Sequence, residues 1–152
     1  MDLVEFERPL ELLVWGRNTY TVLYLDHFLE DAVRAAGTRR VEGRIEGVDV
    51  NLGVNRADVV PRPFCYVGAA LQRRLEAQAG DVVTCRLRPA DPDHVPLADD
   101  VRAALADAGR LGAFQSRRPA QRRRDLQPID DAARETTRRA RIESLVRSLP
   151  PP

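Results

Sequence analysis

At 152 residues, 43% of them apolar and 31% charged, the chain is long enough for one compact core and too short for two independent domains of ordinary size. That composition excludes a fibrous or grossly disordered chain. All 24 basic side chains are arginine against 23 acids, for a net charge of +1, but the charge is uneven: residues 1–116 hold 14 arginines and 18 acids, residues 117–152 hold 10 and 5. The basic end meets either an anionic partner or the chain's own acidic body.

In chain order, VEFERPLELLVW alternates in part and runs into Gly16-Arg17-Asn18, a turn signal, followed by the β-branched and aromatic run TYTVLYL; together they read as a hairpin. Asp26 is placed to cap HFLEDAVRAA, whose Phe28, Leu29, Ala32, Val33 and Ala36 recur at helical spacing before Gly37 stops it. RRVEGRIEG and VDVNLGVN supply an apolar face through Val41, Ile45, Val48, Val50, Leu52 and Val54. Gly43, Gly47 and Gly53 between them mark the bends by which small sheets close. A short strand at PFCYV, a helical segment ALQRRLEAQ and the strand VVTCRLR follow. In the last of these Val83, Cys85 and Leu87 fall on one face.

Prolines and aspartates interrupt the pattern at PADPDHVPLADD, which divides a β domain, residues 1–90, from a helical extension, residues 91–152. Asp99 and Asp100 suit the first turn of VRAALADAG, with Gly109 as its stop. A connecting helix starts at Pro119, and IDDAARETTRRARIESLVRSL, Ile129 to Leu149, reads as the last and longest. The predicted fold is mainly β with α: a small closed or nearly closed β-barrel of about six to seven strands, with a short inserted helix and a helical C-terminal extension.

No apolar run reaches the roughly 18 to 20 residues of a membrane-spanning helix and no basic leader precedes one, which predicts a cytoplasmic protein. Cys65 and Cys85 lie in strand patterns and read as buried reduced thiols. Neither G-x-S-x-G, Walker A, G-x-G-x-x-G nor H-E-x-x-H occurs, so no catalytic residue, cofactor or metal site is expected. His27 with Glu30 and Asp31 has ligand-like helical spacing but reads as a solvated cluster. An enzyme working inside the barrel could call only on Asp81, Cys85 and His94.

On the last helix, Asp130 to Arg134, Glu135 to Arg139 and Glu143 to Arg147 are spaced i to i+4, the favourable order for surface ion pairs. Arg141 has no acid at that spacing, and Arg138 has only Glu135, which Arg139 also claims. These two arginines therefore seek either an acid elsewhere on the protein or an anionic ligand that a guanidinium fork fits. The run Arg117, Arg118, Arg122, Arg123 and Arg124 has no interleaved aromatic, so nucleic-acid binding through these helices is the weaker reading.

VEGRIEGVDVNLGV, AGDVVTCRL, HVPLADDVRAAL and AARETTRRARIESLV together resemble bacterial proteins in which a small β-barrel domain of unknown function precedes a helical tail of the YdeI or OmpD-associated type, also called bacteriocin-protection-like. Thr137, Arg138, Arg141 and Ile142 fall on the family's T-R-x-x-R-I pattern. Where the family's tail commonly carries Trp-Ile and then Ala-Lys, this chain has Pro128-Ile129 and Ala132-Ala133. The family names transfer no activity; the expected function is that of a non-enzymatic cytoplasmic binding or stress-associated protein. Its expected anion site lies where the last helix meets the barrel, with Arg138 and Arg141 as the cations and Thr137 as a hydroxyl donor. The expected partner is a small anionic ligand or a protein, and the expected state a monomer or homodimer.

Overall fold

The computed structural model describes residues 3–152. Among them are seven strands in two antiparallel sheets and six helices, in two compact units, Met1–Pro92 and Asp93–Pro152. No helix of either unit is long and apolar enough to cross a membrane.

In the first unit the run VEFERPLELLVW becomes two strands, β1 (Val4–Pro9) and β2 (Glu11–Trp15). Leu10 is the corner between them: its N–H donates to the Asp81 carbonyl at 2.9 Å and its own carbonyl accepts from the Gly80 N–H at 2.8 Å. One sheet has the order β1-β7-β4-β5, with β4 at Arg40–Ile45, β5 at Val48–Gly53 and β7 at Val82–Pro89. The other is β2-β3-β6, with β3 at Asn18–Tyr24 and β6 at Phe64–Tyr66. Beyond the end of β5, Asn55 and Phe64 exchange backbone hydrogen bonds of 2.8 and 3.0 Å. The two sheets are thus linked at Leu10 and again at Asn55.

The alternation in β7 places Val83, Cys85 and Leu87 in a core with Leu10, Leu23, Val41, Ile45 and Cys65, while Val82, Thr84, Arg86 and Arg88 are exposed. Helix α1 (His27–Ala36) adds Leu29 and Val33 to this core. It begins where the Asp26 carboxylate accepts the Phe28 N–H at 2.9 Å and ends at Gly37, whose φ of 66° suits the left-handed cap. Helix α2 (Ala69–Leu75) stops sooner than its sequence pattern, because Glu76 takes the left-handed conformation and turns the chain back toward β7.

The second unit is helical: α3 (Asp99–Asp107), α4 (Leu111–Gln115), α5 (Pro119–Asp130) and α6 (Glu135–Ser148). Val101, Leu105, Phe114, Leu126, Ile129, Ile142, Leu145 and Leu149 form its core. The single helix expected from Ile129 to Leu149 is instead divided between α5 and α6 by residues 131–134. The Ala132 N–H bonds back to the Ile129 carbonyl at 3.2 Å, tightening the last turn of α5. This break lets the apolar residues of both segments reach one core, which a straight rod would keep apart.

Candidate functional site

Helix α6 buries Ile142 and Leu145, and that anchoring fixes where its arginines stand. Arg138 makes a bidentate pair with Asp100 in the first turn of α3: Nε to Oδ2 is 2.7 Å and Nη2 to Oδ1 is 2.8 Å. Its Nη1 also reaches the Ile129 carbonyl at 3.4 Å and Asp130 Oδ1 at 4.0 Å. The two hydrogen bonds from Arg138 hold the Asp100 carboxyl below the ordinary carboxylate range. Arg141 Nη1 donates to the Pro128 carbonyl at 2.6 Å. Both guanidinium groups therefore close on carbonyls in the last turn of α5, where a helix leaves acceptors without intrahelical donors and its dipole is negative.

The partners that local spacing assigns are not the ones observed. Among the described residues, neither Glu135 and Arg139 nor Glu143 and Arg147 come within ion-pair distance, and the four side chains are exposed. Asp130 approaches Arg138 instead of Arg134, because the break after α5 removes the helical register between residues 130 and 134. On α6 it is the two arginines left over by local spacing, Arg138 and Arg141, whose guanidinium groups find partners. Arg141 differs from Arg138 in one respect: its partner is a neutral carbonyl, and among the described residues it makes no ion pair. Thr137 is half-buried, on the α6 face that it shares at i, i+1 and i+4 with Arg138 and Arg141.

Much of the dense basic run is occupied within its own unit. Arg117 pairs with Asp125 at 2.8 Å, Arg122 donates to the carbonyls of Arg117 and Asp93, and Arg124 to the Gln121 side chain at 3.0 Å. Arg110 closes on the Val146 carbonyl of α6 at 3.0 Å. Arginine thus supplies the polar ties between these helices.

The residues named for chemistry inside a barrel do not converge. The Cys85 thiol is buried and pushed up to about 12 by desolvation, and Cys65 likewise, so both are protonated and inert near neutral pH. Asp81 is exposed, and its Oδ2 accepts the Gln78 N–H at 2.9 Å. His94 is exposed in the chain segment that opens the second unit. His27 stacks on Phe28 with ring centroids 4.2 Å apart, while Glu30 turns to Arg34 and Arg56, each at 3.2 Å. Among the described residues no group of three His, Cys, Asp or Glu side chains could hold a metal ion.

One constellation escapes helix-spacing arguments. Strand register places Leu13, Trp15, Asn18, Tyr20, Val22, Tyr24, Phe64 and Tyr66 on a single face of the β2-β3-β6 sheet. Tyr20 and Tyr66 meet at 5.2 Å, Phe64 and Tyr66 at 5.2 Å edge to face, and the Arg62 guanidinium lies 4.6 Å over the Tyr24 ring. The signal was present as aromatic residues spaced two apart in TYTVLY and FCY, but only pairing reveals that the strands share a face. No family model, no curated protein and no solved structure matches the chain.

Proposed function

We propose that the chain is a non-enzymatic cytoplasmic binding or stress-associated protein of the YdeI and OmpD-associated kind, which holds a small anionic group on the α6 face carrying Thr137, Arg138 and Arg141. The observation that carries this reading is the unequal partnering of the two arginines. Asp100 neutralises Arg138 and fixes its position, whereas Arg141 keeps its full charge, because a carbonyl oxygen satisfies a donor without cancelling the cation. Thr137 adds a hydroxyl on the same face. Arg134, exposed one turn before it, extends the positive stripe.

For the first unit the proposal includes a small closed or nearly closed barrel. The strand corner at Leu10 and the Asn55–Phe64 bridge support it, since they join the two sheets at both margins. The apolar core between the sheets favours a packed interior over a cavity for chemistry.

The test is a thermal-shift titration with inorganic phosphate, sulfate and citrate, on the wild type and on Arg141→Gln. An anion at about 100 times its Kd adds roughly 2.7 kcal/mol if it binds only the folded state. The proposal expects that stabilisation in the wild type and its loss in Arg141→Gln. Equal shifts in both proteins, or none in either, would reduce the T-R-x-x-R-I stretch to a tie between α3, α5 and α6.

A further inference from the structure

The aromatic face of the β2-β3-β6 sheet is independent of the arginines of α6; its middle is buried with Ala57 and Val60, and its margin carries open rings. Trp15 and Tyr66 remain 36% and 37% exposed, although they border the packed cluster of Leu13, Val22, Tyr24 and Phe64. Tyr20 stands between their strands, diagonal to both. Phe64, buried on the same face and edge to face with Tyr66 at 5.2 Å, holds that half-open ring in place, an arrangement that spends little conformational entropy when a flat ligand lands on it.

Two cations flank these rings. Arg17 occupies the two-residue turn that joins Trp15 to Asn18, and Arg62 stacks on Tyr24 near the other end. Both are exposed, and among the described residues neither makes an ion pair. Glu11 is the one acid that strand register puts on this face, at the far end of β2 from Arg17. Rings in a row with an unpaired guanidinium at each end complement a chain of flat bases joined by phosphates. A duplex does not fit, because its bases are stacked on one another and closed to the rings.

We infer that this face binds single-stranded nucleic acid, with Trp15, Tyr20 and Tyr66 stacking on bases and Arg17 and Arg62 contacting phosphates. Sequence preference is weak, since every base offers a π-face. Affinity depends on salt only modestly, because two phosphate contacts give a slope of log K against log salt of about −1.4. This is a different surface from the basic run of Arg117–Arg124, whose members turn largely to partners in their own unit.

Trp15 is the sole tryptophan, so its emission reports on this face alone. The experiment titrates the whole chain at low salt with an oligothymidylate of about 12 nucleotides, a length within the range of single-strand site sizes. The expected result is saturable quenching of Trp15. Tyr66→Ala should weaken it tenfold or more, and Arg17→Gln, in an exposed turn where folding is not at stake, should make the salt slope shallower by about 0.7. A matched duplex should compete poorly, and Glu11→Gln should tighten binding. Quenching absent at low salt would overturn the inference, as would binding that Tyr66→Ala and Arg17→Gln leave unchanged. Stronger quenching by a proline-rich peptide than by the oligonucleotide would also overturn it and assign the rings to polyproline instead.

Discussion

Arg138 and Asp100 lie 38 positions apart in the chain, and no spacing rule links them. Helical spacing sees only neighbours one turn away, so it could single out Arg138 and Arg141 as unpaired but could not supply Asp100, Ile129 or Pro128. Arg138→Ala should lower unfolding stability at neutral pH by about 1 kcal/mol, the upper end for a pair with this much solvent around it. Chemical denaturation measures the difference. Since Arg138 lowers the folded-state pKa of Asp100, the pair stabilises fully above the unfolded aspartate value of about 3.9, and loses that contribution as pH falls through the folded value. The gap between wild type and Arg138→Ala should therefore close below about pH 4. The cysteines were legible as residues: apolar strand neighbours marked them as core, and both are free and buried. With thiols at about 12, neither should react with a neutral-pH thiol reagent until denaturant opens the fold, when both should label.

Elements were read best where a single residue sets the backbone. Asp26 and Gly37 delimit α1 as their chemistry requires. Gly43 is stricter still: at φ 140° it faces β7 so closely that a Cβ would run into the Arg86 carbonyl oxygen. Gly43→Ala should cost at least about 2 kcal/mol, combining backbone strain with a displaced β4–β7 ladder. A fall in Tm with retained α-helical signal would locate the damage in the sheet. The break between α5 and α6 carried no punctuation, because Ile129 to Leu149 holds neither glycine nor proline; its one trace is that on a continuous helix Ile129 would face away from Ile142 and Leu145. What divides it is the demand of a shared core, a property of tertiary packing.

Across the whole molecule, the change of composition near Pro89 marks where strands give way to helices, and the compact units meet in sequence at Pro92 and Asp93. Their cores share no residue. Phe114→Ala, at 1% exposure in the original protein, should remove about 3 to 5 kcal/mol from the helical core. Circular dichroism should lose helix at lower temperature while Trp15 emission, which reports the first unit, melts near its wild-type midpoint. A common shift of both signals would show that the cores unfold as one. The corner at Leu10 sets a limit on change of another kind. The inward side changes parity at this corner: even-numbered Val4 and Phe6 of β1 pack on one core and odd-numbered Leu13 of β2 on another. Adding or deleting one residue between Leu10 and Glu11 would exchange the two sides of β2, sending Leu13 and Trp15 to the opposite face and bringing Leu12 and Val14 into their place. Substitutions at this bend can be absorbed; changes of length cannot, and natural variants of the chain should keep the count from Leu10 to Trp15 constant while the side chains vary.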